Sequence, residues 1–378
     1  MKKNIYMDYA ATTYIKKEVI EAMMPYLTEY YANPSSVYNM SNNLKIVIDE
    51  AKEEIADFIG ANPEEVFFTS GGTEGNNWAI KGIAYANEEK GKHIITSSIE
   101  HPAVLNSCKY LKEKGFEITF LPVDSYGKVD LEKLEKSIRN DTILVSIMAA
   151  NNEIGTIQDI KSIGEICKRH KVLFHTDAVQ ALGQIPINVE EMGIDLMTIT
   201  AHKIYGPKGI GALYIKKGTK IENILHGGSQ ERGKRPGTEN TLAIVGFKKA
   251  VSLLKENGLE ESKRIEKLRD KFIKGLLQIE NTKINGAMGK ERLKGNVNVS
   301  FKNIDGELLL MLLDREGIYA SAGSACSAGS IDASHVLVAL GSEDEFLKGT
   351  IRFTLGARNT EEEVDFVLEK LNQLIKKI

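Results

Sequence analysis

The chain has 378 residues, 42% hydrophobic and 27% charged, which excludes fibrous and disordered classes and is more than one core usually serves. Lysine and arginine total 49 against 52 acids, a net charge of -3, so no whole-surface electrostatic attraction to nucleic acid or membrane is expected. No apolar stretch follows Lys2 and Lys3, and the longest Leu/Met run, at 308–313, is too short to span a bilayer, so neither a signal peptide nor a membrane anchor is expected.

In chain order, the first short apolar strand is expected at 65–69. It runs into Ser70-Gly-Gly-Thr-Glu-Gly-Asn, where a helix at 74–87 begins. Backbone N–H groups at that helix start, with the Thr73 hydroxyl, would make a phosphate seat; a tight turn with an N-cap is the plainer alternative. A strand at 93–96 leads to Ile99-Glu-His-Pro and a helix at 102–114. Pro102 suits a first helical turn, and His101 before it could stack on a planar ring or shuttle protons, or simply cap.

Strands follow at 142–147, 172–175, 195–199 and 211–215, with a helix at 160–170. Apolar strands alternating with amphipathic helices predict an α/β sheet, largely parallel and buried on both faces. Asp177 lies just past one strand, where such sheets bind ligands; it could pair with a protonated ring nitrogen or cap a helix. Lys203 follows another strand, and an amine partly desolvated there could form a Schiff base. The glycines after it spell no dinucleotide fingerprint, and no Gly-Lys pair is followed by Ser or Thr, so a nicotinamide or P-loop site is not indicated.

From 240 to 257 the pattern is helical, and the charged stretch 255–263 reads as a domain junction. Helices at about 260–278 and 360–378, with strands at 297–301 and 351–354, predict a smaller α+β domain. The three cysteines, Cys108, Cys167 and Cys326, form no CxxC pair, which fits a reducing cytoplasm. Cys108 and Cys167 fall on predicted helices. Cys326 sits in Ala320-Ser-Ala-Gly-Ser-Ala-Cys-Ser-Ala-Gly-Ser, which has little to bury and is therefore expected to be exposed and mobile, a suitable place for a nucleophile. No HExxH or Cys/His cluster points to an intrinsic metal.

Taken together, Met7-Asp-Tyr-Ala-Ala-Thr-Thr, Gly71-Gly-Thr-Glu, Glu100-His-Pro-Ala-Val, Asn151-Asn-Glu-Ile-Gly, Asp177-Ala-Val-Gln, His202-Lys-Ile-Tyr-Gly-Pro-Lys-Gly, Gly237-Thr-Glu-Asn, Gly323-Ser-Ala-Cys and Arg352-Phe-Thr-Leu-Gly resemble, in order, the signatures of NifS/IscS-type cysteine desulfurases, within the class V aminotransferase group. The resemblance implies the fold type I of pyridoxal-phosphate (PLP) enzymes: a large domain (14–257) with a mostly parallel seven-stranded sheet, and a small α+β domain (1–13 and 258–378) carrying the Cys326 loop.

It further implies that Lys203 tethers PLP, Asp177 pairs with the ring nitrogen, and His101 stacks on the ring. Gln180 and Asn152 would lie beside it, and Gly72, Thr73, Thr200 and His202 would hold the phosphate. Thr238 would reach the phosphate of a second protomer, implying a homodimer. Arg352, with Asn152, would take the substrate carboxylate. L-cysteine would yield L-alanine and a Cys326 persulfide, passed to an iron–sulfur scaffold or a tRNA-thiolating enzyme; Cys326 could transiently ligate a cluster with such a scaffold. Thr200 replaces a common Ser, and Tyr38 stands where many relatives have His. The chain ends at Ile378, where many housekeeping relatives continue into a tail that helps dock the scaffold. The alternatives are an aminotransferase or a selenocysteine or cystine lyase of the same fold, or a non-catalytic sulfur carrier.

Overall fold

The apolar runs of the first two thirds become strands of one sheet. In the computed structural model, which describes residues 4–322 and 334–378, the strands are β1 (Ile5–Tyr6), β2 (Val66–Thr69), β3 (His93–Ser97), β4 (Glu117–Leu121), β5 (Thr142–Ser146), β6 (Leu173–Asp177), β7 (Leu196–Thr200), β8 (Gly211–Ile215), β9 (Thr282–Ile284), β10 (Asn296–Phe301), β11 (Ile318–Tyr319) and β12 (Thr350–Thr354). The seven-stranded sheet has the order β2-β8-β7-β6-β5-β3-β4. β3, β4, β5, β6 and β7 pair in parallel, while β8 runs antiparallel to both β2 and β7.

Every residue of β2, β3, β5, β7 and β8 is buried, because helices cover both faces. On one face Val145, Phe174 and Met197 pack with Ile55, Ile163 and Phe247. On the other, Ile94, Leu144 and Leu213 pack with Trp78, Ile83 and Leu111. Full burial of each such side chain stabilises by about 1.5–3 kcal/mol. The six strands expected from the sequence form within two residues of their expected ends. The seventh, β4, is an edge strand with its first residue exposed and the next three half-buried.

The last third differs in one respect. The charged stretch 255–263 does not interrupt the chain's helix: Thr241–Leu276 is one helix of 36 residues. Its first half buries Ala243, Phe247 and Val251 in the large core, and its second half buries Ile265, Leu268 and Phe272 in a separate one. The middle bridges the two cores and is polar for that reason, with Leu259 exposed. Lysine, glutamate and leucine keep it helical, and one Gly258 costs only about 1 kcal/mol.

The second core is built on the antiparallel sheet β12-β10-β9. It also takes in the N-terminus, since β1 pairs in parallel with β11, Ile5 opposite Ile318. Among the described residues no helix is long and apolar enough to cross a membrane.

Candidate active site

The parallel strands bring their carboxyl ends to one edge of the sheet, and there the chemistry-bearing residues gather. A cavity of about 270 Å³ is lined by Gly72 and Thr73 after β2, His101 after β3, Met148 and Asn152 after β5, Asp177 and Gln180 at the end of β6, and His202 and Lys203 after β7. Arg352 of β12 and the Ala10–Ala11 segment close it from the other core. Nine of the residues singled out in the sequence therefore share one wall.

Lys203 Nζ donates to the Ala10 carbonyl and, at 2.8 Å, to that of Ala11. Ala10 also accepts from Gln180 Nε2 at 2.9 Å. The Asp177 carboxylate is 5% exposed and is held from two sides: Asn76 Nδ2 donates to Oδ2 at 2.6 Å, and the Val179 amide to Oδ1 at 2.9 Å. Asn76 Oδ1 is buried without a partner among the described residues.

At the β2 end, the Gly72–Ala86 helix starts without a side-chain cap. Its first-turn amides are thus left for a ligand. A Cβ on Gly72 would come within 2.7 Å of Val179 Cγ2, so the loop's glycine permits this close approach. Glu74 is drawn away from the opening, accepting from the Ser70 amide at 2.7 Å and from Arg235 Nε at 2.8 Å.

His101 is the N-cap of the Pro102–Glu113 helix, its Nδ1 accepting from the Ala103 amide at 3.1 Å. The neutral ring accordingly carries its proton on Nε2. Burial lowers its pKa, nearby Lys203 and His335 lower it further, and Asp177 opposes them. His202, whose Nδ1 lies 3.2 Å from Thr12 Oγ1, is pushed down to about 4 by burial and by Lys203 and Lys208. Burial favours the neutral form of both imidazoles.

Arg352 is 2% exposed; Nη2 donates to Asp8 Oδ1 at 2.8 Å and Nη1 to the Asn152 carbonyl at 3.1 Å. Its buried Nε has no partner among the described residues. The site therefore offers an amine, a buried carboxylate, a neutral imidazole, uncapped amides and a guanidinium around one small space.

Two expected residues lie elsewhere. Thr200 does not line the cavity; its hydroxyl is buried and donates to the Ile210 carbonyl at 3.0 Å. Thr238 is exposed and outside the lining. Cys326 lies outside the described residues. Cys108 and Cys167 are buried, their thiols pushed up to about 12. Asp8, Asn76, Glu100 and Glu153 went unassigned in the sequence, although each adjoins or falls within a quoted motif. Among the described residues no group of three or more potential metal ligands occurs.

Glu100 sits fully buried behind His101, accepting from Ser97 Oγ at 2.6 Å and from the Met148 amide at 3.0 Å. Burial pushes its pKa up to about 8, partly offset by those bonds. A folded value above the unfolded one gives stability that is complete below about pH 4 and lost as pH rises through 8. Glu100→Gln is therefore expected to lose less stability than wild type between about pH 5 and 8 in urea titrations. An identical pH slope in the two proteins would refute this.

The class V aminotransferase family model matches residues 5–367. A cysteine desulfurase IscS of Clostridium botulinum (strain Hall) is 53% identical over 378 residues, covering 100% of this chain and 95% of the relative. One of Methanosarcina thermophila is 54% identical over 376 residues, covering 100% and 93%. A solved NifS-like protein superposes with a TM-score of 0.94 at 42% identity, covering 100% of both chains. An apo cysteine desulfurase from Thermococcus onnurineus NA1 gives 0.89 at 28%, covering 99% of this chain and 95% of that one. With the fold, the full-length match and the carboxyl-edge cavity in agreement, the chain belongs to the class V aminotransferase family and, within it, to the cysteine desulfurases of the NifS/IscS type.

Proposed function

We propose that the protein uses PLP to remove sulfur from L-cysteine, leaving L-alanine and a persulfide on Cys326. The observation that carries this reading is the convergence of Lys203, Asp177 and His101 on one cavity beside Arg352. The donor set fits the coenzyme. Lys203 offers an amine for its carbonyl, and buried Asp177 offers a carboxylate for a protonated ring nitrogen. His101 offers a flat neutral ring, and the uncapped helix start beside Gly72 and Thr73 offers amides for a phosphate, with His202 alongside. Gln180 and Asn152 supply polar groups at the rim. Thr200 has its hydroxyl hydrogen on Ile210, so any contribution to the phosphate is as an acceptor or through its backbone.

When bound, PLP supplies an electron sink that acidifies the substrate Cα–H. Lys203 would hold the coenzyme through its amine, and the same amine, placed in the cavity, would carry the proton taken from the substrate Cα. His101 holds a proton at Nε2 for exchange at the bound substrate. Arg352 receives the substrate carboxylate, and its Nε, which has no partner among the described residues, leaves a donor for it beside two committed Nη groups. The Cys326 thiolate attacks the substrate sulfur: an S–S bond forms, the substrate C–S bond breaks, and its electron pair goes to carbon, which protonates to give alanine. Ser321 pairs with Arg352 in both directions, at 2.7 and 3.1 Å, and five residues of chain from there to Cys326 extend at most roughly 18 Å.

Arg352→Lys is expected to raise the KM for L-cysteine by about 10- to 100-fold with a smaller change in kcat, since an ammonium cannot reproduce the guanidinium fork. An unchanged KM in steady-state assays would remove Arg352 from the carboxylate site. The reading as a whole is tested by adding PLP, L-cysteine and a dithiol reductant, which releases the persulfide sulfur as sulfide, and measuring alanine and sulfide in equal amounts.

Further parts of the reading concern assembly. The large unit comprises 14–257, and 1–13 with 258–378 make the small one, in line with the separate cores. A homodimer in which Thr238 reaches the other protomer's phosphate accounts for its exposure outside the cavity, and exposed Met24, Leu27, Tyr31, Val37 and Tyr38 offer apolar surface for such contact. The persulfide sulfur passes to an acceptor protein in the cytoplasm, an iron–sulfur scaffold or a tRNA-thiolating enzyme.

A further inference from the structure

Both flanks of the segment that carries Cys326 are tied to the cavity wall. Upstream, Ser321 is paired through its backbone with Arg352. Downstream, Ser334 Oγ donates to Glu153 Oε2 at 2.5 Å, and His335 Nε2 lies 3.0 Å from the Glu100 carbonyl oxygen. Each tie lands on or next to a residue lining the cavity: Arg352 itself, Glu153 after Asn152, and Glu100 before His101.

The downstream tie has a feature that anchoring a surface turn does not require. Glu153 is 1% exposed, and keeping a carboxyl in such a place costs several kcal/mol unless it is well partnered. Its backbone is immobilised independently: Asn296 and Asn298 donate to its carbonyl at 3.0 and 3.2 Å, and its amide donates to Asn151 Oδ1 at 2.8 Å. Ser334 would cap the His335–Ala339 helix without any acid, because its Oγ accepts from Val336 at 3.2 Å and Leu337 at 3.5 Å. Val336, Leu337 and Leu340 already pack on Ile99, Met148 and Ile154. The buried acid is thus redundant for holding the helix. What it adds is a fixed bond between the wall at Asn152 and the first residue after the segment.

We infer that Glu153, acting through its bond to Ser334, is a positioning residue that holds residue 334, next to the Cys326 segment in the chain, at the cavity wall, and so governs the sulfur-transfer step. The inference rests on the desulfurase reading above. It predicts a split between two events of one turnover. Neither Glu153 nor Ser334 lines the cavity, so substrate capture at Lys203 is expected to change little when the clamp is broken, whereas Cys326 attack is expected to slow.

The test is single-turnover mixing of the PLP-loaded protein with L-cysteine, following coenzyme absorbance and, by mass spectrometry after alkylation, the Cys326 persulfide. Glu153→Ala and Ser334→Gly are compared with wild type; Gly remains an acceptable N-cap, so the second variant removes the donor with little loss of helix stability. Persulfide formation should slow by about tenfold or more while the absorbance change stays within about twofold. Glu153→Gln, which keeps an acceptor oxygen for Ser334, should recover most of the rate. Equal slowing of both events, no slowing of either, or a Gln variant as slow as Ala would overturn the inference. Absence of persulfide in the wild type would instead overturn the desulfurase reading, and the clamp with it.

Discussion

Replacing Lys203 by alanine is expected to lower alanine formation from L-cysteine by about a thousandfold or more. The amine follows β7 directly, and two carbonyls, Ala10 and Ala11, aim it into the cavity shared with Asp177 and His101. Among the described residues no other lysine lines that cavity to take over the tether. Lys203→Arg separates charge from chemistry. A guanidinium keeps the charge but is not a nucleophile at neutral pH, so this variant should be as inactive as the alanine one. Borohydride should fix the coenzyme to residue 203 of the wild type, seen as a mass increase on that peptide, and to no site in either variant. A Lys203→Arg protein that retained wild-type turnover would exclude the amine from the chemistry.

The second large effect is expected at Cys326. Cys326→Ala should abolish persulfide and sulfide formation, a loss of at least about a thousandfold, while the protein still binds PLP and remains yellow. The remaining thiols cannot substitute. Cys108 and Cys167 are buried in the cores, and with pKa values near 12 their thiolate fraction at pH 7 is on the order of one in 10⁵. An ordinary exposed thiol near 8.5 is a far better nucleophile, and the site has only to assist its ionisation. If Cys326→Ala still released sulfide at the wild-type rate, the reaction would be a lyase reaction of the same fold, with sulfur leaving directly from the substrate. Borohydride should still fix the coenzyme to residue 203 in this variant but not in Lys203→Ala, so the two substitutions interrupt the reaction at different steps.

Residues next to expected strand ends were legible because an α/β sheet places its ligands there regardless of detail. Asp177, Lys203 and His101 could be found by locating apolar runs and reading the next few residues. Their partners could not. Asn76 reaches Asp177 across 101 positions of chain, and Asp8 reaches Arg352 across 344. No local pattern signals such a pair. β4 was missed for a different reason: as an edge strand it is only partly covered, so Glu117-Ile-Thr-Phe-Leu121 lacks the continuous apolar character of its neighbours. The Thr241–Leu276 helix shows the reverse error. Its apolar stripe fades where it crosses between cores, and a fading stripe reads as a break although the backbone hydrogen bonds continue.

The alternation of strands and helices, the family and the main cavity residues could be read without a structure, since all of these are carried by short stretches of contiguous chain. That Glu153 meets Ser334, that Thr200 turns to Ile210 and that Arg352 is held by Asp8 emerges solely from the folded packing. Those depend on which side chains are brought within about 3 Å by packing, and spacing along a chain does not encode that distance.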